Sequence, residues 1–187
     1  YLDSRPNERV RAYVRGRLSH NFSITEGEEP LWGNERKTTS VLLDQLWLKF
    51  DIAQAVYVTF GKQPIRWGSS RFWNPTDFVN SQTRDPLAFV DQRQGVGILK
   101  LHYPIESLGW NFYLIFNADG AGELDDIGTA ARAEILLGTT EISLSAADKK
   151  GGPEQFGLDI STGIWLVDFR LEIAGQKRPS ETFFAPS

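Results

Sequence analysis

Leu46, Leu48, Phe50 and Ile52 alternate with Gln45, Lys49 and Asp51, so an extended chain carries the apolar residues on one side and the polar ones on the other. Side chains change face at every residue of a strand, and this period of two predicts a half-buried strand and not a helix. The pattern returns along the chain. Residues 9–19 set Val10, Ala12, Val14, Gly16 and Leu18 against Arg9, Arg11, Tyr13, Arg15, Arg17 and Ser19. Residues 41–52 turn at Ala53-Gln54 into 55–63, and residues 95–103 turn through 104–107 into a strand from Trp110 to about Asn117. A sixth strand, with Ala131, Ala133, Ile135 and Leu137 opposing Arg132 and Glu134, turns at Gly138-Thr139 into a seventh. In the eighth, Phe156, Leu158 and Ile160 oppose Asp159; a turn at Thr162-Gly163 leads to the ninth. There Trp165, Val167, Phe169, Leu171 and Ile173 oppose Asp168, Arg170 and Glu172.

The connections alternate short and long, as when one rim holds tight turns and the other extended loops. Almost nothing reads as a good helix. The segments run about 8 to 12 residues, near the length that crosses a bilayer at a tilt. The expected fold is therefore all-β, an antiparallel up-and-down transmembrane β-barrel of nine visible strands forming a single domain over residues 1–187. A long loop at 64–94 either folds into the barrel mouth, narrowing it, or only caps the rim with its aromatics at the interface.

Alternation alone does not say which face is wet. Three cues favour an apolar face against lipid and a polar face lining a lumen. Trp110, Phe116, Tyr103, Trp165 and Tyr57 lie near strand ends, where interfacial girdles form. Arg, Lys, Asp and Glu mix along the polar face, where they pair across strands. Ala and Gly recur on the apolar face, which matters less against fluid lipid than in a close-packed core. The lumen-lining set is Arg9, Arg11, Arg15, Arg17, Lys49, Asp51, Arg132, Glu134, Asp168, Arg170 and Glu172. The arginines at 9, 11, 15 and 17 repel one another unless acids or anions face them. Either they form an electropositive stripe for anionic solutes, or they pair with acids such as Glu134, Glu141, Asp168 and Glu172; the supply of acids favours pairing.

Composition removes other classes. Cysteine and methionine are absent, which excludes disulfides and thiolate metal sites, and the only histidines, His20 and His102, have no ligand-like spacing. A net charge of −4 with interspersed signs gives no reason to expect nucleic acid. No apolar run of about 18 residues makes a membrane helix, a test that leaves β-barrels untouched. Nucleophile-elbow, phosphate-loop and metal-type histidine motifs are missing, so no enzyme, cofactor or metal is expected. The acidic loop at 117–126 lacks the spacing of a twelve-residue calcium loop and reads as solvated charge.

The stretch Phe60-Gly61-Lys62-Gln63-Pro64-Ile65-Arg66-Trp67-Gly68, followed by Phe72-Trp73-Asn74-Pro75-Thr76-Asp77, resembles a signature of porin-like outer-membrane β-barrel proteins of Gram-negative bacteria. In that group a strand ends in a Gly-Lys-Gln-x-Ile-x-Trp-Gly run and passes into an Asn-Pro-x-Asp loop. Asp91-Gln92-Arg93-Gln94-Gly95-Val96 looks like the lead-in to the following strand. The likeness covers about residues 41–117. It implies the bacterial outer membrane, with the lipid bilayer and lipopolysaccharide as surroundings, envelope proteins as candidate partners, and a channel for passive passage of small polar or anionic solutes. The alternatives are a closed barrel anchoring an envelope complex and a soluble ligand-binding β-barrel. Family members are about twice this length, and bacterial single-chain barrels have even strand numbers. The odd count and the absence of a final aromatic-ended strand therefore predict a partial chain. Pro64 ends its strand, since it has no N–H for the ladder. The expected constriction loop presents Arg66, Trp67, Arg71, Trp73, Asn74 and Asp77.

Overall fold

Every alternating segment read from the sequence is a strand in the computed structural model, which describes residues 1–20, 39–65, 67, 75–79 and 95–177. The strands are β1 (Leu2–Asn7), β2 (Val10–His20), β3 (Thr39–Ile52), β4 (Val56–Gln63), β5 (Val96–Ile105), β6 (Trp110–Asn117), β7 (Gly128–Leu137), β8 (Thr140–Asp148), β9 (Glu154–Ile164) and β10 (Val167–Lys177). They form one antiparallel sheet in sequence order, each paired with the next. Among the described residues no ladder joins β1 to β10, so both are edges of the described sheet. Among the described residues the only helical element is a three-residue 3-10 turn, Leu124–Asp126.

Among the described residues the count is ten and not nine. The strand missing from the sequence reading is β1, whose six residues are all exposed. Its pattern is broken by Pro6, and it is held by β2, which pairs Leu2 with Val14 and Asp3 with Tyr13. A second correction concerns the last hairpin. β9 runs through Thr162 and Gly163 to Ile164, and the turn is at Trp165-Leu166. Trp165 has a left-handed φ of 58° and is fully exposed, so it belongs to the turn and not to the apolar face of a strand.

Tight turns follow β1, β3, β5, β7 and β9, and the longer connections leave from the opposite rim. The β3–β4 turn is built against local preference. Ala53 and Gln54 both have left-handed φ, 53° and 56°, in a three-residue connection, a conformation that Asn and Gly adopt more readily. The Ala55 amide donates to the Ile52 carbonyl at 3.1 Å, closing it. Replacing Ala53-Gln54 by Asn-Gly is expected to raise stability by about 1–2 kcal/mol. A shift of the denaturant midpoint at constant slope is the readout.

Register keeps the two faces distinct. Leu48, Phe60, Leu99, Phe116 and Thr129 lie in one cross-strand row, and Leu144, Leu158 and Ile173 in another on the same side. The side chains of this apolar face are largely exposed: Phe60 at 62%, Leu144 at 53% and Leu171 at 52%. Burial is mainly on the other face, although Val58 on the apolar side is 5% exposed. Ile65, Trp67, Val79, Val96, Ile98, Ile115 and Ala130 form the buried apolar cluster. Three of them, Ile65, Trp67 and Val79, come from the connection between β4 and β5. The core therefore lies between that connection and the polar face of the sheet.

Candidate functional site: the loop-covered polar face

Arg132 and Asp159 are central to this face. β7 directs Arg132 to the same side as Tyr113 and Ser145, its partners on β6 and β8, and β9 brings Asp159 opposite Ser143 and Glu172. The Arg132 Nη1 donates to Asp159 Oδ2 at 2.7 Å and its Nε to Glu134 Oε1 at 3.0 Å. Both members of the first pair are buried, their side chains 5% and 3% exposed. A desolvated pair of this kind survives only with its remaining polar atoms engaged.

The β4–β5 connection reaches this cluster. Thr76, fully buried, donates its hydroxyl to Asp159 Oδ1 at 2.8 Å, and its Oγ1 lies 3.2 Å from Glu172 Oε2. Trp67, 5% exposed, has the Arg132 guanidinium carbon 6.0 Å from its ring centre, a cation–π contact. Asn117 donates to the Val79 carbonyl at 3.2 Å. Gly157 makes room for the crossing: a Cβ there would sit 2.9 Å from the Thr76 methyl and 3.2 Å from the Phe78 ring. Trp67 and residues 75–79 thus lie on the polar face from β6 to β10. Pro64 ends β4 as expected. Asp77 is half-buried beside Thr76. Arg66, Arg71, Trp73 and Asn74 lie outside the described residues.

The arginine row pairs with acids other than those first considered, three carboxylates to four guanidinium groups. Arg9 binds Asp51 through two nitrogens, at 2.8 and 3.1 Å, and Arg11 binds Asp3 at 2.8 and 2.9 Å. Arg17 and Arg15 approach Asp44 at 3.1 and 3.8 Å. Glu134, Glu141, Asp168 and Glu172 stand on β7, β8 and β10 and are not the partners of β2. Asp44 reaches its place through a bulge. Arg15 pairs with Gln45 and Gly16 with Leu43, so Asp44 is the extra residue, turned to the polar side and 3% exposed. An acid out of phase in the run Val41-Leu42-Leu43-Asp44 was the available signal. Asp168 and Arg170 share the polar face of β10, paired with Gly163 and Ser161.

Two aromatic rows on this face were not anticipated. Tyr1, Tyr13 and Trp47 stack with ring centres 5.8 and 5.2 Å apart. Tyr57, His102 and Tyr113 form the second, with the latter two rings 4.5 Å apart and nearly parallel. Tyr57 is thus part of the polar face and not of a girdle. Rings on neighbouring strands turn their faces to each other and their edges outward. Cations adjoin both rows: Arg11 lies 5.5 Å from the Trp47 ring centre and Lys49 4.8 Å from that of Tyr57. Register alone aligns these residues, as Tyr57, His102 and Tyr113 are successive cross-strand partners. This arrangement offers fixed charges, ring edges and a loop segment on the same face of the sheet. No family model, curated protein or solved structure matches this chain.

Proposed function

We propose that the chain is a porin-like β-barrel of the bacterial outer membrane, a passive channel for small polar or anionic solutes narrowed by its β4–β5 loop. The inversion of the two faces carries this reading. Leu46, Leu48, Phe60, Leu144, Phe156 and Leu171 are 41–62% exposed, while Asp44, Arg132 and Asp159 are buried to 6% or less. A water-soluble sheet hides the first group and solvates the second. A lipid-facing band around a polar lumen does the reverse. The resemblance of residues 60–77 to the porin-like signature points the same way. Trp110, Tyr103 and Phe116 near strand ends fit an interfacial girdle.

A second reading, a barrel that anchors an envelope complex with its lumen closed, draws support from one observation. Trp67, Thr76 and Val79 are buried against the polar face, as a plug would be. Conductance separates the two. The chain folded into planar bilayers is expected to give discrete channel openings. Gly157→Leu, which forces the Thr76 and Phe78 side chains off the wall, and deletion of residues 69–77 are both expected to raise the single-channel current. Silence in the unaltered chain with current after deletion favours the plugged anchor. An unchanged current after deletion removes the constriction role.

A further inference from the structure

Arg11, Lys49 and Lys100 lie in one cross-strand row: Arg11 pairs with Lys49, Lys49 with Thr59, and Thr59 with Lys100. Like charges placed opposite each other on one face of a sheet are destabilising. Asp3 answers Arg11, and the nearby Asp51 is held by two nitrogens of Arg9. Neither lysine has a carboxylate within ion-pair distance among the described residues. Lys49 instead lies over the Tyr57 ring, and Lys100 is half-buried with Ile115, fully buried, as its partner on β6. Two cations are thus held two strands apart, with Thr59 of β4 between them. An oxyanion fits that arrangement, since each ammonium supplies up to three donors and no acceptor.

We propose that Lys49 and Lys100, with Thr59 between them, form a binding site for a small oxyanion, a carboxylate or a phosphate. The proposal rests on the reading of this face as a solvent-filled lumen, and it moves the anion site from the arginines to the lysines. The four arginines have three carboxylates beside them, Asp3, Asp44 and Asp51. The lysines are not matched.

Equilibrium dialysis of radiolabelled inorganic phosphate against the full chain, folded in detergent, tests it. Saturable binding is expected, weakened about tenfold to a hundredfold in K49Q/K100Q, the loss of charge-assisted hydrogen bonds. The control K150Q/K177Q removes as much charge from the exposed pairs with Asp125 and Glu154 and is expected to bind as the unaltered chain does. Competition by malonate assigns the site to carboxylates as well as phosphate; its failure to compete restricts the site to phosphate. A second measurement needs no variant: phosphate is expected to slow acylation of Lys49 and Lys100, but not of Lys150, by an amine-reactive reagent. Absent binding, equal loss in both variants, or no protection overturns the site. Because dialysis requires no current, phosphate binding without conductance overturns the channel while leaving the site, and conductance without binding does the opposite.

Discussion

Arg132→Ala is expected to lower the stability of the folded chain by about 3–5 kcal/mol, the effect of removing one partner from a buried ion pair. The reason is what remains. Asp159, 2% exposed, keeps its charge and its hydrogen bond from Thr76, but loses the guanidinium at 2.7 Å. Glu134 loses its partner as well, and Trp67 loses the cation near its ring. Asp159→Asn in the same background removes the stranded charge, so the double variant is expected to be less destabilised than the sum of the two single changes. Denaturant unfolding of the four species in a double-mutant cycle gives the coupling directly. A cost below 1 kcal/mol for Arg132→Ala would mean that water reaches the pair and that the loop does not seal this face. A large cost accompanied by greater protease cleavage in the β4–β5 connection would tie the pair to the seating of Thr76 and Trp67.

The ladder of strands was legible in the sequence because it depends on one local quantity, the period of two. Leu46 to Ile52 and Trp110 to Phe116 carry that period with one large apolar residue out of phase in each, Trp47 and Ile115, and both segments are strands. The failures have physical causes. β1 contains Pro6 and a single strong apolar residue, Leu2, so its pairing is imposed by β2 and by the Asp3–Arg11 and Tyr1–Tyr13 contacts. Thr162-Gly163 has the composition of a turn, yet the hairpin closes three residues later, at Trp165-Leu166, with Trp165 in the left-handed region. The polar-face residues were legible as a set but not as partners. Alternation says that Arg11, Lys49 and Arg132 share a side; it does not say that a bulge turns Asp44 toward Arg17. Nor does period report Thr76 reaching Asp159, 83 positions away in sequence. Asp159, Thr76, Lys100 and His102 gain their meaning from cross-strand neighbours, and a single strand read alone carries no such information.

Leu144→Arg supplies the sharpest test of which solvent meets the apolar face. Leu144 lies in the middle of β8, between Ala133 and Leu158, and is 53% exposed. If water bathes that face, an arginine at a half-exposed position changes stability by no more than about 0.5 kcal/mol. If hydrocarbon does, the cost at mid-depth is about 2–4 kcal/mol, falling to about 0–1 kcal/mol near the interface. Leu137, at the end of β7 beside the tight turn and 56% exposed, provides the shallow comparison. The two positions have nearly the same accessibility, so burial within the protein does not separate them. Depth in a bilayer does. Folding equilibria of Leu144→Arg and Leu137→Arg in lipid vesicles are therefore expected to differ by about 2–3 kcal/mol, with Leu144→Arg the worse. Equal and negligible costs at both positions would assign the exposed leucines and phenylalanines to water or to a protein partner and withdraw the membrane reading.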